Sequence, residues 1–274
     1  MSASLATLPA PARPAPPRGL ASLATGLNPV FVRYELGRRL NRQTLAFTLF
    51  LPAVLYLALY RTGSAHADAV LPHGNFAAWM MIGIAVYGGA MASTSSAAAV
   101  SVERSEGWMR TIRMSPLTPT PYILIKVLCS VVVASLPVLV VGALGTVTGV
   151  RADARVWAIG LLVAWLGAAV FAALGLALGL AMRPEVVLHM PGVTMTALAF
   201  LGNLFIPLSG AMLTVSQYTP MYGVATLARY PLTEGVTFSG AHTPLTGALA
   251  NVAAWLTVFT VAAVRRFTSS TGRQ

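Results

Sequence analysis

Charge is what this sequence has least of. Asp, Glu, Lys and Arg make up 9% of its 274 residues, against about 25% in soluble globular domains. With 56% hydrophobic residues, the chain holds more apolar sequence than a water-soluble core requires, so the bilayer is the expected solvent. The net charge of +11 does not point to nucleic acid, because the charges cluster between and outside apolar runs rather than in one patch. Lysine occurs once, as Lys126, among 17 arginines. It stands between Ile125 and Val127, so no G-x-x-x-x-G-K-[ST] loop exists to cradle nucleotide phosphates. The single cysteine, Cys129, excludes an intrachain disulfide. No H-E-x-x-H occurs, and no G-x-S-x precedes His189, the only histidine inside an apolar run. An intramembrane hydrolase therefore has no visible machinery. Carboxylates are missing from the apolar runs, which speaks against an ion-coupled carrier.

What is present is a series of apolar runs. Residues 1–27 carry Pro9, Pro11, Pro14, Pro16 and Pro17 among alanines, a composition that buries little and reads as a disordered tail. No apolar h-region follows the start, so it is not read as a signal peptide. Asn28-Pro29 reads as a helix start, opening a helix over 28–42. Glu35, Arg38, Arg39 and Arg42 share one arc of it, and the expectation is an interfacial helix with its arginines towards headgroups; a polar lead-in to the first span is the alternative. Six runs of near-spanning length follow, at 44–60, 76–100, 122–148, 156–182, 186–208 and 245–264, with residues 267–274 as a closing tail. Pro191 should kink the fifth.

With the N-terminus inside, Arg61, Arg151, Arg155 and Arg229 fall outside and the other 14 basic residues inside, a positive-inside bias that puts both termini in the cytoplasm. Lys126 then stands at the inner start of the third span, where it can snorkel. In the fourth span Gly175 and Gly179 form a G-x-x-x-G that brings helices together, either within the subunit or between subunits. Met80, Tyr87 and Met91 in the second run, and Thr194, Phe200, Asn203 and Phe205 in the fifth, either line a pathway for a lipophilic molecule or simply pack with hydroxyls bonded to backbone. Residues 209–241, rich in Gly, Pro and Tyr, read as a re-entrant hairpin before the last span or as a surface loop.

Between the second and third runs lies the one long interruption, apart from the N-terminal part, that carries several charges of both signs: Glu103, Arg104, Glu106, Arg110 and Arg113. Gly107 permits a turn, residues 108–113 can make two helical turns, and Pro116 stops them. Trp108 and Ile112 share a face, as a short helix docking in a groove requires, while Arg110 and Arg113 can meet carboxylates beside it. An ordinary polar loop is the other reading. Glu103 and Glu106 are expected at the water line, paired with Arg104 or a neighbour.

Glu103-Arg-Ser-Glu-Gly107, a short helix, Ser115-Pro116-Leu117, then Tyr122 and Lys126 resemble the cytoplasmic motif of ABC-2 type exporter permeases, the membrane subunits of ATP-binding-cassette drug, antibiotic and lipid exporters. Phe205-Ile206-Pro207-Leu208-Ser209, Pro220 and Arg229 are similar to that family's hairpin before the last span. The chain departs from the family at Ile125, often glycine there, and at Thr214-Val-Ser-Gln217, where a Leu-Pro-x-Trp stretch is usual. The resemblance implies an all-α membrane protein of six transmembrane helices with an interfacial helix, a cytoplasmic coupling helix and a re-entrant hairpin. It implies that 107–115 sits in a cleft of a separate ATPase, present in two copies, and that ATP and Mg bind there and not on this chain. It further implies a second permease subunit, identical or not, facing this one across a pathway in a bacterial plasma membrane, and export of a hydrophobic small molecule, as in multidrug efflux and antibiotic resistance.

Overall fold

The computed structural model describes residues 29–40, 42–62, 68–107 and 119–271. The expected tail 1–27, the helix start at Asn28, and Trp108, Arg110, Ile112, Arg113 and Pro116 lie outside the described residues. The chain runs α1 (Pro29–Arg39), α2 (Arg42–Thr62), a two-residue hairpin β1 (Val70–Leu71) and β2 (Gly74–Asn75), α3 (Phe76–Ala98) and α4 (Val100–Ser105). It continues with α5 (Pro119–Val147), α6 (Ala154–Leu166), α7 (Ala168–Ala181), α8 (Pro184–Val187) and α9 (Met190–Leu201). α10 (Gly210–Ser216), α11 (Pro220–Thr233) and α12 (Leu245–Thr271) complete it. The protein is an all-α membrane protein. Five helices, Phe76–Ser105, Ile123–Val147, Ala154–Ala181, Pro184–Leu201 and Leu245–Thr268, are long and apolar enough to cross a bilayer, and the apolar part of α2, Thr48–Thr62, is shorter.

α3 is the axis of the bundle. Asn75 caps its start, the side-chain Oδ1 accepting the Ala78 N–H at 3.1 Å. Nearly every residue that follows is buried, as expected of a helix apolar on all sides. Without water to drive association, helices in lipid pack through small residues, and α3 is surrounded through them. A Cβ on Gly88 would come 3.1 Å from both Pro52 of α2 and Pro137 of α5. The two prolines therefore sit against a glycine. A Cβ on Gly175 would meet Thr94 O at 2.3 Å and one on Gly179 would meet Ala98 O at 2.6 Å. The G-x-x-x-G thus binds α7 to α3 within the subunit. Gly175→Leu has only backbone to push against and is expected to cost at least about 1–3 kcal/mol. Gly192→Ala, whose Cβ would touch only Met91 Cε at 3.8 Å, is expected to be neutral or stabilising by up to about 1 kcal/mol. Thermal unfolding of the detergent-solubilised variants, side by side, checks both.

The fifth run departs from its expected course. α8 and α9 are separated by a turn at Leu188 and His189, and Pro191 opens α9 rather than kinking its interior. The helix stops at Gly202 instead of continuing to 208. Asn203 takes a left-handed conformation, φ 58°, and its Oδ1 accepts the Leu208 N–H at 2.7 Å, which reverses the chain. At this end α11 comes close: a Cβ on Gly202 would lie 2.5 Å from Met221 Cβ, so only glycine fits there. Two helices, α10 and α11, then fill the segment before α12. Thr219 caps α11 by accepting the Tyr222 N–H at 3.2 Å, with Pro220 in its first turn.

Candidate functional site

At the arginine-rich end of the bundle, α1, α4 and the start of α5 meet around Lys126. Its ammonium is fully buried, and its three N–H donors have three oxygen partners: Glu103 Oε1 and Oε2, each at 2.7 Å, and Glu35 Oε1 at 2.6 Å. Arg39, four residues beyond Glu35 on α1, donates from Nε to Glu35 Oε1 at 2.8 Å. Its Nη1 donates to Ser96 O at 2.9 Å, to the Ser96 hydroxyl and to Ser130 Oγ at 2.7 Å. Ser130 in turn donates to Lys126 O at 2.7 Å. Arg38 closes the rim with an ion pair to Glu103 and stays partly exposed. Two carboxylates and two cations are thus buried together with a third cation at the edge. Burying such ions costs several kcal/mol each unless pairing and hydrogen bonds offset it, and here each buried ion has a partner of opposite charge, although Arg39 Nη2 makes an ion pair to Glu35 without a hydrogen bond. Burial pushes the Glu35 carboxyl up, but the Lys126 ammonium and the Arg39 guanidinium outweigh it and hold it below the ordinary carboxylate range.

α4 is fastened on its other side too. Arg104 donates from Nη1 to Leu180 O and to Gly179 O, the latter at 3.3 Å. These carbonyls belong to the last turn of α7, where acceptors lack helical partners and the dipole favours a cation. Ser101 Oγ donates to Met182 O at 2.9 Å. Immediately after α4, Gly107 adopts φ 77°, and a Cβ added there would meet nothing within 4 Å among the described residues. The positive φ by itself favours glycine there. Glu106 is exposed beside it. Residues 108–118 leave from this turn and return into α5, so the Glu103–Lys126 pair closes the base of that segment.

Several expectations are corrected here. Glu35 and Arg39 face inward, not towards headgroups, because Lys126 needs the carboxylate and the Ser96 and Ser130 oxygens accept the guanidinium. Lys126 does not snorkel, being enclosed by these partners. Glu103 lies off the water line and pairs with Lys126 and Arg38, while Arg104 turns the opposite way. The spans are not free of buried ion pairs, since this cluster sits at the ends of two of them. One signal for it was legible: Lys126 is the only lysine of the chain, and a chain this poor in charge must pair the ions it buries.

Of the residues expected along a pathway, Tyr87, Phe200 and Phe205 come together. The Tyr87 and Phe205 rings lie 5.1 Å apart and those of Phe200 and Phe205 5.3 Å, both edge to face. The Tyr87 hydroxyl is 3.3 Å from Thr196 Oγ1, and Phe200 is half exposed. Met80 is part of the core, Asn203 is spent on the turn, and Met91 and Thr194 are partly buried on α3 and α9. The hydroxyls of Ser93 and Thr94 donate to the carbonyls of Ala90 and Phe171, each at 3.1 Å, which is the packing role.

At the opposite end of the bundle Arg229 of α11 is buried with no carboxylate within ion-pair distance among the described residues. It donates to Trp79 O at 3.1 Å, Asn203 O at 2.9 Å and Leu204 O at 2.8 Å, and its guanidinium lies 3.5 Å from the centre of the Trp79 ring. It pins α11 to the start of α3 and to the turn that ends α9.

The family model of ABC-2 type transporters matches residues 30–233, from α1 to the end of α11. The chain belongs to the ABC-2 type transporter family. It is a multi-pass membrane permease component of an ABC transporter, and the family implies an ABC ATPase as partner. No curated protein matches the chain.

Proposed function

We propose that this permease is the membrane half of an ATP-driven exporter that moves a hydrophobic small molecule out of the cell, with ATP and Mg held by two copies of a separate ATPase. The supporting observation is the closed base of the 108–118 segment. Glu103 stands five residues before it and Lys126 eight after it; Lys126 is tied to Glu35 of α1 by a buried ion pair, Glu103 to Arg38 of α1 by a partly exposed one, and the two to each other. A partner gripping Trp108, Arg110, Ile112 and Arg113 would displace α1, α4 and the start of α5 as one body, and through Arg104 the end of α7. Coupling of this kind needs two states that ATP and substrate bind differently. The arginine-rich end is then cytoplasmic in a bacterial plasma membrane, with both termini on that side. A second permease subunit completes the pathway, and the Tyr87–Phe205–Phe200 aromatics contribute apolar, adaptable contacts to it. Drug or antibiotic efflux fits such a lining.

The test is a pull-down of the tagged permease from its native host in mild detergent, with an ATPase assay of the eluate. ATPase activity is expected with the wild type. It should be lost in Gly107→Pro, because proline's φ near −65° is incompatible with the observed φ of 77°, while the variant still inserts. A permease that purifies alone, or an ATPase retained unchanged in Gly107→Pro, overturns the coupling role. The buried carboxylates Glu35 and Glu103 are the one feature an ion-coupled carrier would share. Activity without any co-purifying ATPase would favour that second reading.

A further inference from the structure

On the face opposite the ion cluster, His73 sits in the turn between β1 and β2 with both ring nitrogens engaged. Nδ1 lies 3.0 Å from Asp153 Oδ2, and Nε2 lies 3.0 Å from Glu234 Oε1 and 2.6 Å from Arg155 Nη2. The three partners come from two other places in the fold. Asp153 and Arg155 stand at the start of α6. Glu234 is the left-handed residue, φ 51°, at which α11 gives way to the turn 235–243. Backbone bonds hold the hairpin to the α6 side independently: Asp153 N donates to His73 O at 3.1 Å and Asn75 N to Arg151 O at 2.9 Å. The two carboxylates approach opposite nitrogens of the ring, so they cannot share one metal ion with it.

We propose that His73 is a pH-operated latch between the β1–β2 hairpin and the end of α11. The argument is donor and acceptor bookkeeping at Nε2. A neutral imidazole has one N–H and one acceptor nitrogen. With Nδ1–H donated to Asp153, Nε2 accepts from Arg155 and has no proton for Glu234. That carboxylate then keeps Arg155, at 3.9 Å, as its ion pair among the described residues. A protonated imidazole donates from both nitrogens. Nε2–H then goes to Glu234, and Arg155 can no longer donate there and is repelled as a like charge. Protonation thus exchanges Arg155, which belongs to the same side as the hairpin, for Glu234, which belongs to the end of α11. Acidification adds a direct bond from β1–β2 to the end of α11, whereas the neutral ring leaves Glu234 held on that side through Arg155 alone among its ion pairs to described residues. The neighbouring charged groups Arg151 and His242 make no ion pair to this cluster among the described residues. The turn that would feel the change packs through Phe238 onto Phe76 and Trp79, each pair of rings 5.4 Å apart. Trp79 is the residue under Arg229. The exchange is a property of the chain alone. Only which compartment's pH it senses rests on the orientation proposed above, where this face is external.

The test uses full-length permease in nanodiscs carrying ¹³Cε1-labelled histidine, with the His73 signal assigned by its loss in His73→Asn. Hydrogen exchange of residues 235–243, normalised to the intrinsic pH dependence, is expected to slow about threefold at pH 5.5 relative to pH 7.5 and to lose that difference in Glu234→Gln. An unmoved His189 signal reports that the variants are folded. A pH effect on residues 235–243 that is absent in the wild type, or that persists in Glu234→Gln, overturns the latch. Neither result bears on ATP coupling, since no ATPase is present.

Discussion

Lys126→Met is expected to destabilise the permease by about 3–5 kcal/mol, the usual cost of removing one partner from a buried ionic cluster. Methionine fills the space, so the loss is electrostatic. Of the ion pairs among the described residues, Glu103 retains Arg38 at the rim and Glu35 retains Arg39, while each buried carboxylate loses the Lys126 ammonium. The compensating variant separates charge from shape. Lys126→Met combined with Glu103→Gln removes one cation and one anion together and is expected to recover more than half of the stability. It leaves the base of the 108–118 segment unfastened, however. On the proposed coupling role this double variant is folded and still retains the ATPase, yet no longer drives transport. Thermal unfolding in detergent and the pull-down measure the two parts. A single variant that melts within about 1 kcal/mol of the wild type would show that the cluster does not fasten the segment.

Arg229→Met should be nearly as damaging at the other end. It strips donors from Asn203 O, Leu204 O and Trp79 O and removes the cation over the Trp79 ring. Buried acceptors left unsatisfied cost about 1–3 kcal/mol each. Trp79 O lies inside a helix, so the expected total is about 3–5 kcal/mol. Arg229→Lys restores the charge but cannot reach three divergent carbonyls with one ammonium, so it should rescue less than half. The expected readout is local as well as global, with α11 and the 202–208 turn becoming open to hydrogen exchange while α3, α5 and α7 remain protected. Protection of α11 unchanged in Arg229→Met would remove Arg229 from its pinning role.

Much of the architecture was legible because the bilayer imposes a strong rule: apolar runs of spanning length must be helices. Most helix ends fall within about three residues of the ends of the apolar runs, the last helix running on to Thr271. The run that begins near 186 is apolar up to 208, and nothing in its composition marks Gly202 as the end. The helix ends there in a turn at Asn203, where Met221 of α11, nineteen positions later in the chain, packs against Gly202. The G-x-x-x-G announced a close contact but not its partner, and only packing showed that Thr94 and Ala98 of α3 fill it. The 70–75 hairpin was not expected, since two-residue strands leave no periodic pattern.

The candidate site divides in the same way. Glu103, Arg104 and Gly107 stood out in sequence because charge between two apolar runs must be accounted for, and the positive φ of Gly107 agrees with the turn expected there. The direction each side chain takes was not legible. A helical wheel placed Glu35 and Arg39 on a polar face, and polarity within one helix cannot distinguish water from a buried ion of opposite sign. By itself the sequence determined that this protein lives in a membrane, how many apolar runs it has, and where its charge clusters, because those depend on transfer free energies summed over neighbouring residues. The tertiary structure alone decided that Glu35, Arg39, Glu103 and Lys126 neutralise one another, and that His73 stands between Asp153, Arg155 and Glu234. Electrostatic pairing at about 3 Å depends on distances between residues as many as 161 positions apart, which no local pattern encodes.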